Sequence, residues 1–230
     1  MKFISIGQGC LPAFYLRKFG LHDVETQFFD WIVASQKTVT EVFSIGSETD
    51  LKQAIETDTE FEDELFEGHK AFRCTRFDLL RSVHDLPHNG DRPDLFRHFF
   101  VDKYTRRYTR LMELLQSVTE PVVFVMIIKA YHSHEETERL MTILETRFPS
   151  LRYHMYVFVE EEDTTTGGTE SDHLTIVRIK EFELINKPSV IQWYLNQYDW
   201  ARMFQNMISI LNVKYPRGGV KNNLIIVNDI

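Results

Sequence analysis

The chain is poor in cysteine, carries no excess of positive charge and has no long apolar run, and each shortage removes a class of protein. Only 2 cysteines occur in 230 residues. They are Cys10 and Cys74, too far apart to suggest a disulfide framework or a thiolate metal cluster, and such usage suits a reducing cytosol. The formal net charge is -8, which argues against broad nucleic-acid binding, because that needs a basic face to displace counterions. No apolar stretch approaches the roughly 18 residues required to span a bilayer. The first residues enter a strand pattern at once, where a secretory signal would show a charged region and then an apolar one. Neither Gly-x-x-x-x-Gly-Lys nor a dinucleotide fingerprint is present, and there is no internal repeat. These absences set the expectation of a cytoplasmic protein that engages neither nucleic acid nor membrane and requires no cofactor or metal. Nothing in the sequence fixes its oligomeric state.

What the chain does contain is material for a core: 43% hydrophobic residues, with Phe 18, Tyr 9 and Trp 3. At this length one domain over 1–230 is expected. Strand-like and helix-like patterns alternate, most clearly at 3–19 and 122–159. Pro121 to Ile128 is a continuous apolar run suited to the centre of a parallel sheet. Asp94 to Ser117 repeats its aromatic and aliphatic residues at helical spacing. Ser133-His134-Glu135-Glu136 has the form of a capping box opening a helix to about Arg147. Further strands are expected at 153–159, 174–180 and 224–227, and a helix near 198–213. The fold class that follows is α/β, a mainly parallel sheet with helices on both faces.

The segment richest in chemistry lies at the start. Phe3-Ile4-Ser5-Ile6 runs into Gly7-Gln8-Gly9-Cys10 and directly into an apparent helix from Leu11, with Pro12 in its first turn. This puts a thiol where unpaired helix N–H groups and the positive end of the helix dipole favour an anion, here the nucleophilic thiolate. The amides around Gly9 and Leu11 are placed to hold an oxyanion formed when the sulfur attacks a carbonyl. A buried cysteine behind a tight turn is the plainer reading of the same residues.

A series of short motifs follows the cysteine. Ser5-Ile6-Gly7-Gln8-Gly9-Cys10 is succeeded by Leu16-Arg17, Gly20-Leu21, Phe29-Asp30-Trp31, His84-Asp85-Leu86, Lys103-Tyr104-Thr105-Arg106-Arg107, and the strand around Val123-Phe124-Val125. In order and spacing these resemble, over about residues 3–160, a family of bacterial and large-virus domains identified as papain-like cysteine peptidases. The chain departs from that pattern at Phe28, Leu86 and Met126, where the family has Pro, an aromatic and Arg. The resemblance implies an alternative fold, a papain-like α+β arrangement in which the cysteine helix packs on an antiparallel sheet. It also implies Cys10 as nucleophile and His84 as the base that takes its proton, oriented by Asp30 or Asp85. The apolar neighbours of Asp30 favour it for that role, and an anchoring role for the same carboxylate stands equally open. His154 and His173, at the starts of strands, are reserve bases. His132 and His134 lie two apart with no further ligand cluster evident, a weak metal signal.

Arg106 and Arg107 belong to the matching motif and are candidates to bind an anion, while Arg110 is expected on a solvated face beside the acidic stretch near residue 60. The leading expectation is a cysteine-dependent hydrolase, peptidase or acyltransferase acting on a peptide amide, an ester or a glycan. A strand running straight into Gly-x-x-Cys is also similar in topology to the first block of SGNH hydrolases, which makes an esterase or glycan-modifying enzyme the second reading. A non-catalytic module that binds an anionic ligand through its arginine face is the third.

Overall fold

The computed structural model describes residues 1–7, 9–22, 25–62, 71–82, 93–129, 132–161, 168–170, 172–180 and 197–216. In chain order, β1 (Lys2–Ser5) leads to α1 (Leu11–Lys18), then β2 (Ile32–Ala34), α2 (Gln36–Ser44) and α3 (Glu48–Asp58). Next come β3 (Thr59–Glu62), β4 (Ala71–Cys74), β5 (Leu80–Ser82) and the long helix α4 (Pro93–Ser117). The second half holds β6 (Val122–Lys129), α5 (His134–Arg147), β7 (Tyr153–Glu161), β8 (Gly168–Glu170), β9 (Leu174–Lys180) and α6 (Gln197–Lys214).

Two sheets result. The larger has the order β1-β6-β7-β9-β8; its first four strands are parallel and β8 closes the far edge antiparallel to β9. The apolar run from Val122 is therefore an interior strand, paired on both sides, and its side chains alternate between two buried faces. Val122, Phe124, Met126 and Ile128 pack with Leu140 and Leu144 of α5 and with residues of α2, α3 and α4. Val123, Val125 and Ile127 face the other way, onto Leu11, Tyr15 and Leu16 of α1 and Phe204, Met207, Ile208 and Leu211 of α6. This is the α/β arrangement with a mainly parallel sheet and helices on both faces, and the cysteine helix packs on that parallel sheet.

The smaller sheet, β2-β5-β4-β3, is antiparallel throughout. Of it, the sequence pattern marked only extended structure somewhere in 70–77. Its strands are three or four residues long, too short for an alternation to stand out. Ile32, Phe72, Cys74 and Leu80 join the same core as Phe124 of the parallel sheet. The acidic stretch after residue 47 forms α3, but Leu51, Ala54 and Ile55 are buried, so it is an amphipathic helix laid on that core. The strand expected at 224–227 lies outside the described residues.

Helix ends carry the local signals that the sequence promises. The side chains of Ser35, Ser47 and Ser133 accept hydrogen bonds from the amides of Thr38, Asp50 and Glu136, which satisfies otherwise orphaned N–H groups. At the other end of α1, Leu21 N–H donates to Leu16 O and Gly20 N–H to Arg17 O, the paired bonds of a Schellman stop with Gly20 at φ 64. That stop turns the chain back so that His22 bridges Phe3 of β1.

Candidate active site

The strand order creates one crevice by topology. β1 is followed by α1 on one face of the sheet, whereas its neighbour β6 is followed by α5 on the other face. Adjacent parallel strands whose helices leave to opposite faces open a cleft beyond their carboxyl ends, and ligands of open α/β sheets bind there. The strands remain paired to the lip of the cleft, where Ile127 N–H donates to Gly7 O at 3.3 Å. Residues 9–10 lie just past that rung on the β1 side, while on the other side β6 runs on to Lys129.

Cys10 occupies the N-cap of α1 with φ -83 and ψ -11 and makes no side-chain capping bond, while Pro12 sits in the first turn. It is half-buried, whereas Cys74 is fully buried. Burial pushes the Cys74 thiol up, and its sulfur lies 3.6 Å from Ala54 O. The approach to Cys10 depends on Gly7, whose φ is +101 and whose missing Cβ would meet Ala34 O and Val39 Cγ2 at 3.2 Å. Glycine is thus required there for both conformation and room.

Beside the end of β1 lies a buried polar hub centred on Asp30. Its carboxylate accepts hydrogen bonds from the Ser5 hydroxyl and, at 2.9 Å, from Gln27 N–H. It also stands 2.7 Å from His22 Nε2 and 3.4 Å from Arg17 Nη2. Burial alone would raise the Asp30 carboxyl, but the contacts with His22, Ser5 and Gln27 outweigh it and hold the group below the ordinary carboxylate range. The backbone of the same turn is fastened too: Arg107 Nη1 donates to Asp30 O at 3.3 Å. Trp31 takes a left-handed φ of 64, with the Arg17 guanidinium 5.8 Å from its ring centroid. Phe28 and Phe29, which precede Asp30, are fully buried, the first against Tyr104 and Tyr108 and the second against Phe43.

Four of the motifs read from the sequence therefore meet at one residue: Ser5 and Arg17 at the Asp30 carboxylate, Arg107 at the Asp30 backbone carbonyl, and the Phe29-Asp30-Trp31 turn that carries both. The imidazole against Asp30 is that of His22, for which no motif in the sequence suggests a role. His84 and Asp85 lie outside the described residues. The expected arginine face is divided, since Arg107 is buried against the Tyr104 ring while Arg106 is exposed. Arg110 is tied to Glu25 at 3.3 Å and to Thr26 O at 2.9 Å, where the sequence suggested the acidic stretch near 60.

Register separates the reserve histidines from Cys10. His154 pairs across Val123 to the level of Phe3, and His173 precedes β9, so both stand at the amino ends of the strands. His154 is fully buried, with Nε2 2.8 Å from Thr175 Oγ1. Burial, then the Lys214 charge, push it down to about 4, so it is neutral at physiological pH. At the carboxyl ends stands His132, buried, with Nε2 2.9 Å from Thr137 Oγ1. Among the described residues no group of three or more His, Cys, Asp or Glu side chains is placed to hold a metal ion. No described helix is long and apolar enough to cross a membrane.

A family model described as "Putative papain-like cysteine peptidase (DUF1796)" matches residues 1–163. The chain belongs to this family, and the match takes in β1 with Cys10, the Asp30 hub and all of β6 and β7. No curated protein and no solved structure gives a significant match.

Proposed function

We propose that this member of the family is a cysteine-dependent hydrolase or acyltransferase whose nucleophile is Cys10, acting on an amide or ester of a peptide, glycan or other acyl compound. The observation that carries the reading is the position of the thiol: a helix N-cap at the mouth of the crevice between β1 and β6. An imidazole takes the Sγ proton, and the thiolate adds to the carbonyl carbon while the amides near Gly9 and Leu11 hold the oxyanion. Collapse breaks the C–N or C–O bond, and the imidazolium returns its proton to the departing amine or alcohol. Water, or an acceptor hydroxyl or amine, then cleaves the thioester and regenerates the thiol.

The family resemblance puts His84 forward as that imidazole, with Asp85 beside it. The contacts of Asp30 favour an anchoring role for its carboxylate. The divided arginine face gives the anion-binding reading no supporting surface.

The test is the rate of iodoacetamide alkylation at pH 7, resolved by mass spectrometry, with Cys74 as internal control. Cys10 is expected to react at least about tenfold faster than glutathione, as an activated nucleophile requires. Cys74 is expected to stay unmodified until the protein unfolds. A folded protein whose Cys10 reacts no faster than glutathione refutes the nucleophile.

A further inference from the structure

The solvent-facing stripe of α1 starts at Cys10 and ends at a positive charge. Cys10 has helical dihedrals, and Phe14 N–H donates to Cys10 O at 2.9 Å, so the regular turn of the helix already includes it. At 3.6 residues per turn, Arg17 stands two turns on, within about 20° of the same side and about 10 Å along the axis. Burial agrees, since between residues 10 and 18 only Cys10, Phe14, Arg17 and Lys18 are not buried. The helix carries no acidic residue, and its two charges, Arg17 and Lys18, lie in the last turn. Beside the cysteine the surface has room, because a Cβ on Gly9 would meet nothing within 4 Å.

Three guanidinium groups surround the turn at 25–31, and two of them are engaged by it. Arg107 is buried and donates to Asp30 O. Arg110 commits Nη1 to Glu25 and Nη2 to Thr26 O. Arg17 differs. Both of its hydrogen bonds leave from Nη2, to Thr26 Oγ1 at 3.1 Å and to Asp30 Oδ2 at 3.4 Å. Its Nε is buried, so in a side chain that is 33% exposed the nitrogen open to solvent is Nη1, with two N–H donors. Asp30 is closer to His22, at 2.7 Å, and to Gln27 N–H, at 2.9 Å, which leaves the Arg17 charge only partly offset.

The group is also held in one orientation. Thr26, which accepts from Nη2, is itself fixed through its carbonyl by Arg110. The half-buried Trp31 ring lies against the guanidinium, 5.8 Å from carbon to ring centroid. Trp31 has a φ of 64, a left-handed conformation that is costly for a bulky residue and that gathers at ligand sites. A fixed guanidinium with outward N–H groups is the donor that a carboxylate accepts best.

We propose that Arg17, steadied by Trp31 and Thr26, is a specificity-determining residue that binds a carboxylate of the substrate while Cys10 attacks its carbonyl. This rests on the reading of Cys10 as the nucleophile and adds the substrate class. An extended peptide advances about 3.3–3.6 Å per residue, so the helix rise from Cys10 to Arg17 corresponds to three residues. The substrate is an acidic peptide whose carboxylate stands about three residues from the scissile amide, the chain between them lying over Phe14. Arg17 contributes binding only, and no bond is made or broken there.

The test measures second-order alkylation of Cys10 in the whole chain at pH 7 and low salt, resolved by mass spectrometry. The probes are the amides iodoacetyl-Ala-Ala-Glu and iodoacetyl-Ala-Ala-Gln, and the ratio of their rates within one protein cancels any change in the thiol itself. Wild type is expected to prefer the Glu probe at least about fivefold, as one partly exposed charge pair allows. Arg17→Gln is expected to bring the ratio within about twofold, and Arg17→Lys to keep part of it. Two wild-type measurements do not depend on a variant folding. Salt at about 0.5 M is expected to shrink the ratio, and the short probe iodoacetyl-Glu, whose carboxylate falls short of Arg17, is expected to show little preference over iodoacetyl-Gln. If Cys10 reacts fast with iodoacetamide but the two tripeptides react alike, the assignment to Arg17 is overturned and the nucleophile stands. The same holds if the preference survives Arg17→Gln, is abolished by Lys18→Gln instead, is insensitive to salt, or is equally large for the short probe. If wild-type Cys10 reacts with iodoacetamide no faster than glutathione, both fall together.

Discussion

Asp30→Asn tests whether the hub beside β1 holds the crevice wall in place. The Asp30 carboxylate is 0% exposed and the His22 side chain 1%, at 2.7 Å, so this contact is screened little by water. The Arg17 contact is longer, 3.4 Å, and its side chain is 33% exposed, so it contributes little. The substitution leaves His22 buried against an amide and gives the Ser5 hydroxyl or Gln27 N–H a donor where it had an acceptor. Breaking one partner of a buried charged pair costs roughly 3–5 kcal/mol. For a chain of this size each kcal/mol is worth about 2–4 °C, so a loss of about 4 kcal/mol lowers Tm by roughly 8–16 °C. Calorimetry at pH 7 reads it. The sign with pH follows from the direction of the shift: Asp30 is held below its unfolded value. Its contribution is therefore fully present above about pH 4 and is lost as pH falls through the lower folded value. A double-mutant cycle with His22→Gln is expected to give a coupling above about 1 kcal/mol. A Tm within about 2 °C of wild type at pH 7 would refute the reasoning, because no buried charged pair is that inexpensive to break.

Two further outcomes separate backbone and charge effects elsewhere. Gly7→Ala meets Ala34 O and Val39 Cγ2 at 3.2 Å in addition to its strained φ of +101, whereas Gly9, at φ +78, has nothing within 4 Å of an added Cβ. Gly7→Ala is expected to lose about 2–3 kcal/mol and Gly9→Ala about 1 kcal/mol, read from urea midpoints; equal losses would show that the close approach at Gly7 is unimportant. His154 is pushed down to about 4 from 6.5, so the unfolded chain binds a proton that the folded one refuses between those values, and stability falls as pH drops through that window. The wild type should lose about 2 kcal/mol between pH 7 and pH 5 from this group, and His154→Gln should remove that slope; a slope unchanged in the variant would assign the acid sensitivity elsewhere.

How much of this was legible in the sequence depended on whether a signal was local. The central strand was legible because it is buried on both faces and so appears as an unbroken apolar run. α5 was legible because Ser133 and Glu136 announce its first turn. The small sheet was not, because strands as short as Leu80–Ser82 owe their extended form to partners far along the chain. Arg107 lay within reach of pattern reading: it stands three residues after Tyr104 and four before Leu111, on the helix face that those buried residues define. Motif matching grouped it with Arg106 and hid the difference.

The hub shows what family motifs encode. Ser5, Arg17 and Arg107 are separate in sequence and meet at Asp30, the first two at its carboxylate and Arg107 at its backbone carbonyl, joining β1, α1 and α4 behind the cysteine loop. His22 reaches the same point only because the Gly20 stop returns the chain to Phe3, a tertiary event with a single-residue signature. Matching segments can therefore mark the frame that holds a loop in place as readily as groups that react. The strand order sets β6 beside β1 and opens a crevice between helices leaving to opposite faces, and Cys10 stands at its edge as the N-cap of α1.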